Sequence, residues 1–266
     1  MSDAACRSSV NTRKSTVTKT TKYRAPALDK GLDILELLAH TPGSLNLTEV
    51  AQGIGYSKSE IFRMLQVLEA RGYLARRDSD GSYELTNRLF LLGMERPPIK
   101  ELTEAALPVM HRLSDQVKHA CHLVVPSQDQ IVVIARVDAP SDLGFFVRVG
   151  HRRPLGHSTS GVVLFAFQGA ETQERWLAMM EASEPRFKRK QFLASVGQVR
   201  EQGYAMLPSE AVDAVIDISA PILQRDRAVG TLTIPFVERH PATVPVKQAI
   251  EHLRKAVDDI SAALLG

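Results

Sequence analysis

Residues 48–85, TEVAQGIGYSKSEIFRMLQVLEARGYLARRDSDGSYEL, decide how this chain folds, because they read as a tool where most other segments read as core. Ser57 and Glu60 have the Ser-x-x-Glu spacing of a capping box, which satisfies two otherwise orphan backbone donors and predicts a helix start there. Upstream, Thr48 is the expected N-cap of a short helix with Val50, Ala51 and Ile54 on one face, and Gly55 can take the left-handed C-cap conformation. Two helices joined by a short glycine-containing turn make a helix-turn-helix. In the second, Ile61, Met64, Leu65 and Leu68 recur at the spacing that buries one stripe, while Ser59, Phe62, Arg63 and Gln66 project from the other side. A solvated face could carry the same residues. However, a cation, an amide, a hydroxyl and an aromatic together suit phosphate contact and base-edge readout. Strand-like runs at 72–77 and 82–85 then flank Asp78-Ser79-Asp80-Gly81, and Asp-Gly is a strong hairpin signal. A helix-turn-helix followed at once by a hairpin is a winged helix.

Outward from this stretch, the first 24 residues hold six basic side chains (Arg7, Arg13, Lys14, Lys19, Lys22, Arg24) against the single acid Asp3. Rich in Ser, Thr and Lys, they are expected to form a disordered basic arm that either follows phosphates or serves as a solubilising tail. The chain's formal excess of +3 falls entirely within residues 1–92, since acids and bases balance beyond them. Such asymmetry is the electrostatic footprint of a nucleic-acid-binding end on a neutral body. Leu28, Leu32, Leu35 and Leu38 are expected to line the buried side of a packing helix that ends at Thr41-Pro42-Gly43-Ser44. The winged helix is expected over 25–93 and a second domain over 94–266, with the boundary placed where Pro97-Pro98 is expected to interrupt the chain.

No apolar run is long enough to span a bilayer, and the N-terminus lacks the apolar stretch of a signal peptide, so a soluble, cytoplasmic protein without membrane partners is expected. Cys6 and Cys121 support neither a disulfide framework nor a cysteine zinc site. Alternation in a strand sends Cys121 away from His122, so His119, Cys121 and His122 are not expected to hold a metal. No cofactor is expected.

In the second half an amphipathic helix over 100–119 is followed by a hairpin of 121–125 and 131–137. A strand is expected over 145–149, helices over 160–167, 174–180 and 192–202, strands over 215–223 and 228–236, and a last helix over 246–264. Hairpin-built strands with helices at both ends predict an α+β domain, an antiparallel sheet covered by helices. The basic run Arg186-Phe187-Lys188-Arg189-Lys190 reads as a solvated helix start. No Gly-rich phosphate loop, nucleophile elbow or paired-histidine zinc motif is present, so catalysis has no candidate constellation and an enzyme is not expected.

Residues 27–93, with Lys58-Ser59-Glu60-Ile61-Phe62-Arg63-Met64-Leu65 and Arg71-Gly72-Tyr73, resemble the winged helix of the IclR family of bacterial transcription regulators. Pro154-Leu155 with Gly161, Gln202-Gly203-Tyr204 and Ile218-Ser219-Ala220-Pro221 are similar to that family's later signposts, in order. The resemblance implies a winged helix-turn-helix followed by a GAF/PAS-like antiparallel-sheet effector domain. It also implies a homodimer or homotetramer bound to a pseudo-palindromic double-stranded operator and answering to a small-molecule effector, an organic acid. In that reading Lys58 and Arg63 contact phosphate or guanine, Ser59 and Gln66 base edges or backbone, and Phe62 a thymine methyl or the wing. Arg76 and Arg77 meet phosphates beside the wing, and Thr48 and Ser57 complete the DNA-binding set.

The family's effector loop falls on Gly156, His157, Ser158, Thr159 and Ser160, and its late strands supply Asp217, Ser219 and Thr233. The chain departs from the common pattern at Gly156, Asp217 and Pro235. Asp217 would discourage a simple anion unless it is solvated, paired with Arg148 or facing a hydroxyl; Asp217 and Ser219 could equally lie on a solvated sheet face. Two other classes compete: a small-acid-binding enzyme or carrier bearing an accessory basic module, and a redox sensor acting through Cys121, whose apolar neighbours argue for an inert thiol.

Overall fold

The computed structural model describes residues 25–140, 144–209, 212–238 and 244–265. The expected basic arm, residues 1–24, lies outside them. Two compact units divide between Leu92 and Gly93.

In the first unit, α1 (Pro26–His40), α2 (Leu47–Ile54) and α3 (Lys58–Ala70) surround a core of Ile34, Leu38, Val50, Ala51, Ile61, Leu65, Leu74 and Tyr83. The strands β1 (Leu74–Arg76) and β2 (Tyr83–Leu85) form the wing. Gly81 ends its tip at φ +68°, a conformation glycine adopts without steric cost. Leu45 pairs with Tyr83 and ties the wing to the chain entering α2.

Thr48 is not the cap of α2. Asn46 is, its side-chain oxygen accepting from the N–H groups of Thr48 (2.9 Å) and Glu49 (3.1 Å), while Glu49 accepts from the Asn46 N–H (2.8 Å). This complete Asn-x-x-Glu box is the stronger signal, and it moves the helix start upstream. At α3 the Glu60 carboxylate accepts from the Ser57 N–H (3.0 Å) and hydroxyl (2.7 Å) and also meets Lys30 Nζ (2.8 Å), tying α1 to the second helix start. The buried stripe of α1 also differs from expectation. Ile34 and Leu38 are buried, Leu35 partly so, whereas Leu28 and Leu32 are 62% and 48% exposed, because the first turns of α1 extend past the core. The short α4 (Arg88–Met94) follows the wing with Leu89, Phe90, Leu91 and Leu92 all exposed.

The second unit opens with α5 (Pro97–Val117). Pro97 and Pro98 do not interrupt the chain; they occupy the first helical positions, where the missing N–H is not needed. Among the described residues six antiparallel strands then form one sheet in the order β5-β4-β3-β8-β7-β6. They are β3 (Cys121–Ser127), β4 (Gln130–Val137), β5 (Arg152–Pro154), β6 (Ala205–Pro208), β7 (Val215–Gln224) and β8 (Arg227–Val237). α5 and the last helix, α9 (Val246–Ala263), cover one face over Leu123, Ile218, Ile222, Leu232 and Ile234. The other face is covered by α6 (Thr159–Ala166), α7 (Ala170–Ser183) and α8 (Arg189–Gln202), with Leu155, Phe165, Trp176 and Phe192 between.

Residues 145–149 are not a strand. This aromatic, β-branched run is irregular up to a turn at Gly150 (φ +83°), and the true edge strand is the polar β5. Apolar β-formers here cover a cavity instead of entering the ladder, which periodicity cannot distinguish. β6, too, was not foreseen. Asp217 and Ser219 do not lie on a solvated face: Ser219 is fully buried, Asp217 half-buried, and α6 covers that side.

The hydrogen bonds that Lys30 and Ser57 give Glu60 hold its carboxyl at about 2, below its ordinary value near 4.5. A depressed carboxyl contributes stability above the unfolded-state value and loses it as pH falls through the folded one. Glu60→Gln should therefore melt below the wild type at pH 6, with the gap closing as pH is lowered from about 4.5 towards 2, as read by thermal denaturation of the full chain.

Candidate functional site

In the first unit, the face of α3 opposite Ile61 and Leu65 presents Ser59, Phe62, Arg63 and Gln66 to solvent, with Phe62 43% exposed. The i, i+3, i+4, i+7 spacing puts all four on one side of the helix. Lys58 is exposed at its N-terminus, beside Ser57, whose hydroxyl lies 3.1 Å from that of Ser59. Thr48 is half-buried in α2. On the wing Arg76 lies along the hairpin, its Nε donating to the Gly81 carbonyl (3.3 Å) and its guanidinium over the Tyr83 ring (5.7 Å). Arg77 is clasped by Glu84 (2.9 Å). Both arginines are thus oriented by the hairpin while remaining exposed.

The second unit holds a cavity of about 430 Å³ between the sheet and the α6–α8 layer. Its wall begins where β5 ends: a single 3-10 turn (Leu155–His157) leads into α6, whose N-cap Ser158 accepts from the Gly161 N–H (3.0 Å). The reversal is so tight that a Cβ on Gly161 would stand 2.0 Å from the Leu155 carbonyl oxygen, so only glycine fits. His157 is held by Glu184 beyond the end of α7.

His157, Ser158, Thr159 and Ser160 all line the cavity, as do Asp217 and Thr233. Ser219 stands behind them, linked through Thr233 Oγ1 (2.9 Å) to Ser160 Oγ (2.8 Å) in a buried chain of hydroxyls. Arg148 is exposed and outside the lining. The guanidinium near Asp217 is Arg153, because β5 rather than 145–149 forms the edge. Burial raises the Asp217 carboxyl, partly offset by its hydrogen bond to Ser209 and by Arg153.

Residues that sequence reasoning set aside or did not single out also belong to this cavity. Arg186 and Lys188, read as a solvated helix start, lie before α8 at Arg189 and line the cavity with Phe187 between them. His151 joins them with its ring below the usual histidine range through partial burial and Arg153. His122 is buried, and burial together with His151 lowers it to about 3, so the ring is neutral. Alternation separates it from Cys121 as expected, for Cys121 lies in the core beneath α5, its thiol pushed up to about 12 by burial. Among the described residues no cluster of histidine, cysteine or carboxylate groups could hold a metal ion. A useful signal for the missed residues was available: a basic run holding an aromatic between two polar turns suits a cavity rim as well as a helix start.

The family model for the IclR helix-turn-helix domain matches residues 27–78, and that for the bacterial transcriptional regulator IclR C-terminal domain matches residues 99–262. The chain belongs to the IclR family of transcription regulators. HTH-type transcriptional regulator KdgR of Escherichia coli K12 is 30% identical over 225 residues, covering 83% of this chain and 86% of that protein. KdgR of Dickeya chrysanthemi is 30% identical over 236 residues, covering 82% and 76%. Solved structures share the fold. An IclR homolog complexed with 4-hydroxybenzoate from Microbacterium hydrocarbonoxydans superposes with a TM-score of 0.74 at 21% identity, covering 90% of this chain and 99% of that one. Pseudomonas aeruginosa HmgR superposes at 0.72 with 24% identity, covering 90% and 98%.

This IclR-family protein is therefore a transcription regulator with a helix-turn-helix DNA-binding domain and a ligand-binding C-terminal domain. Its ligand-binding domain depends on the reversal at Gly161. Gly161→Ala should lose about 1–3 kcal/mol of stability by forced overpacking, measured by urea denaturation of the full chain.

Proposed function

We propose that this regulator binds a pseudo-palindromic operator as a homodimer or a pair of dimers and controls an operon for breakdown of a small organic acid, which it senses in the C-terminal cavity. The observation that carries the acid is the lining: Arg153, Arg186, Lys188 and His157 surround a space whose wall is the hydroxyl-bearing start of α6. Helix starts carry unpaired N–H donors and favour negative charge, and guanidinium groups match carboxylates. Phe145, Val147, Val162, Phe187 and Phe192 add apolar walls, so an acid with a compact apolar body fits better than a bare inorganic anion. The structural relative complexed with 4-hydroxybenzoate points the same way, at the level of an acid of similar size.

For DNA, Arg63, Gln66 and Ser59 on α3 are the readers of base edges, Lys58, Arg76 and Arg77 the phosphate contacts, and Phe62 the apolar contact. The neighbouring Thr48 and Ser57 sit at the starts of α2 and α3, where a backbone phosphate is received. The exposed run Leu89–Leu92 and the exposed Leu28 and Leu32 support a homodimer built through this unit, since isolated monomers rarely leave such apolar groups uncovered. Among the described residues no helix is long and apolar enough to cross a membrane, in keeping with a protein that works beside DNA in the cytoplasm.

An operator duplex recovered by selection from a random-sequence pool tests the first half. Arg63→Ala should weaken its binding by about 1–3 kcal/mol in fluorescence anisotropy, and unaltered affinity would remove α3 from the groove. For the second half, a screen of small carboxylates should raise the melting temperature of the full chain by mass action. Thr159→Ala and Ser158→Ala should reduce that rise while operator binding in the absence of acid persists; Ser158→Ala should also cost about 1 kcal/mol through the lost cap.

A further inference from the structure

We infer that His122 is a ligand-contacting, specificity-setting residue: its uncharged imidazole receives a hydroxyl or keto group of the effector, which is therefore a hydroxy or keto acid and not a plain carboxylate. This rests on the organic-acid reading of the cavity and goes further, by dividing the cavity's chemistry into a charged part and a neutral one.

The ring sits on β3, buried and lining the cavity, and its Nδ1 has no hydrogen-bond partner among the described residues. Its cross-strand neighbours are already occupied. Thr233, directly opposite on β8, spends its hydroxyl on Ser160 (2.8 Å) and Ser219 (2.9 Å). Arg136, opposite on β4, turns its guanidinium to Asp138 (3.2 Å) and to the ring of Phe146 (4.0 Å). A buried nitrogen left without a partner costs stability, and a phenyl or alkyl side chain in the same place would not. The residues on either side, Cys121 and Leu123, belong to the apolar core on the opposite face, so His122 is a polar break in an otherwise apolar segment. Such a break makes sense where a ligand supplies what the protein does not.

The chemistry of the missing partner follows from the ring. A neutral imidazole offers one N–H donor and one bare nitrogen acceptor. It can accept from a hydroxyl or donate to a hydroxyl or keto oxygen, yet it cannot neutralise a carboxylate. That role falls to Arg153, Arg186 and Lys188 in the same lining. A ligand that satisfies both sets has a carboxylate at one end and an uncharged oxygen function at another.

The test uses full-length protein and matched acid pairs: benzoate with 4-hydroxybenzoate, butanoate with 3-hydroxybutanoate, and pentanoate with 4-oxopentanoate. Dissociation constants are measured by isothermal titration calorimetry for the wild type, His122→Phe and His122→Gln. In at least one pair the wild type should prefer the oxygen-bearing acid by about tenfold or more, in line with one satisfied hydrogen bond to a buried group. His122→Phe should erase that preference while keeping the parent acid's affinity, and His122→Gln should retain part of it. Ligand-free His122→Phe should melt no lower than the wild type. Equal preference in the wild type and His122→Phe, or none in the wild type among pairs that bind, overturns the role of His122 and leaves the organic-acid reading standing. Equal loss of both members in His122→Phe with a lowered melting temperature makes the imidazole structural and also overturns it. No binding by any acid to the wild type overturns both readings.

Discussion

Much of the cavity depends on how closely Gly161 is set against the Leu155 carbonyl, where an added Cβ would stand 2.0 Å from the oxygen. Because no side chain fits at position 161, the chain can leave the sheet edge, make one 3-10 turn and enter α6 within a few residues. Ser158 then occupies the cap, and Thr159 and Ser160 are drawn to the inner wall, where Ser160 joins the buried hydroxyl chain to β8 and β7. A wider turn would push these hydroxyls out of reach of the sheet, and the cavity would lose its polar wall. The segment before α8 completes the enclosure: a Cβ at Gly156 would stand 2.7 Å from the Phe187 ring, so the two loops meet with little room to spare.

The two halves of the protein use opposite physics. The helix-turn-helix leaves the candidate DNA-facing residues of α3 exposed, and its stability comes from the opposite side of that helix, with Ile61 and Leu65 fully buried. The ligand-binding half keeps part of its cavity lining out of water, while Arg186 and Lys188 stay exposed, and it bears the desolvation this entails at His122, whose ring burial keeps neutral, and at Asp217, whose carboxyl burial raises. An effector alters operator affinity only by the difference in its binding to the two states of the protein. Groups that are poorly satisfied when the cavity is empty are where such differences can arise.

Long amphipathic segments were legible because burial of one stripe imposes a period that survives any change of neighbour. Hence α3, α5, α9 and the paired β7 and β8 stand close to their expected places. The wing was legible through Asp80-Gly81, where turn chemistry is local. Errors came where two local signals competed. Asn46-x-x-Glu49 overrode Thr48 at the start of α2, and Pro97-Pro98 opened a helix where a break was expected. The apolar run at 145–149 had the composition of a strand but was recruited to cover the cavity, leaving the polar Arg152–Pro154 to close the sheet edge.

Sequence alone determined the order of the longer elements and the face of α3 that stays in solvent, since each depends on residues a few positions apart, while the hydroxyls at 158–160 were singled out through the family resemblance. Tertiary structure decided which distant residues share the cavity. His122, Arg153, Lys188 and Asp217 come from four separate segments, and only strand pairing and the packing of α6 and α8 on the sheet bring them together. The physical reason is that local chemistry sets backbone conformation, whereas desolvation and neighbouring charge, which give a buried histidine or carboxylate its chemical character, depend on segments far away in the chain.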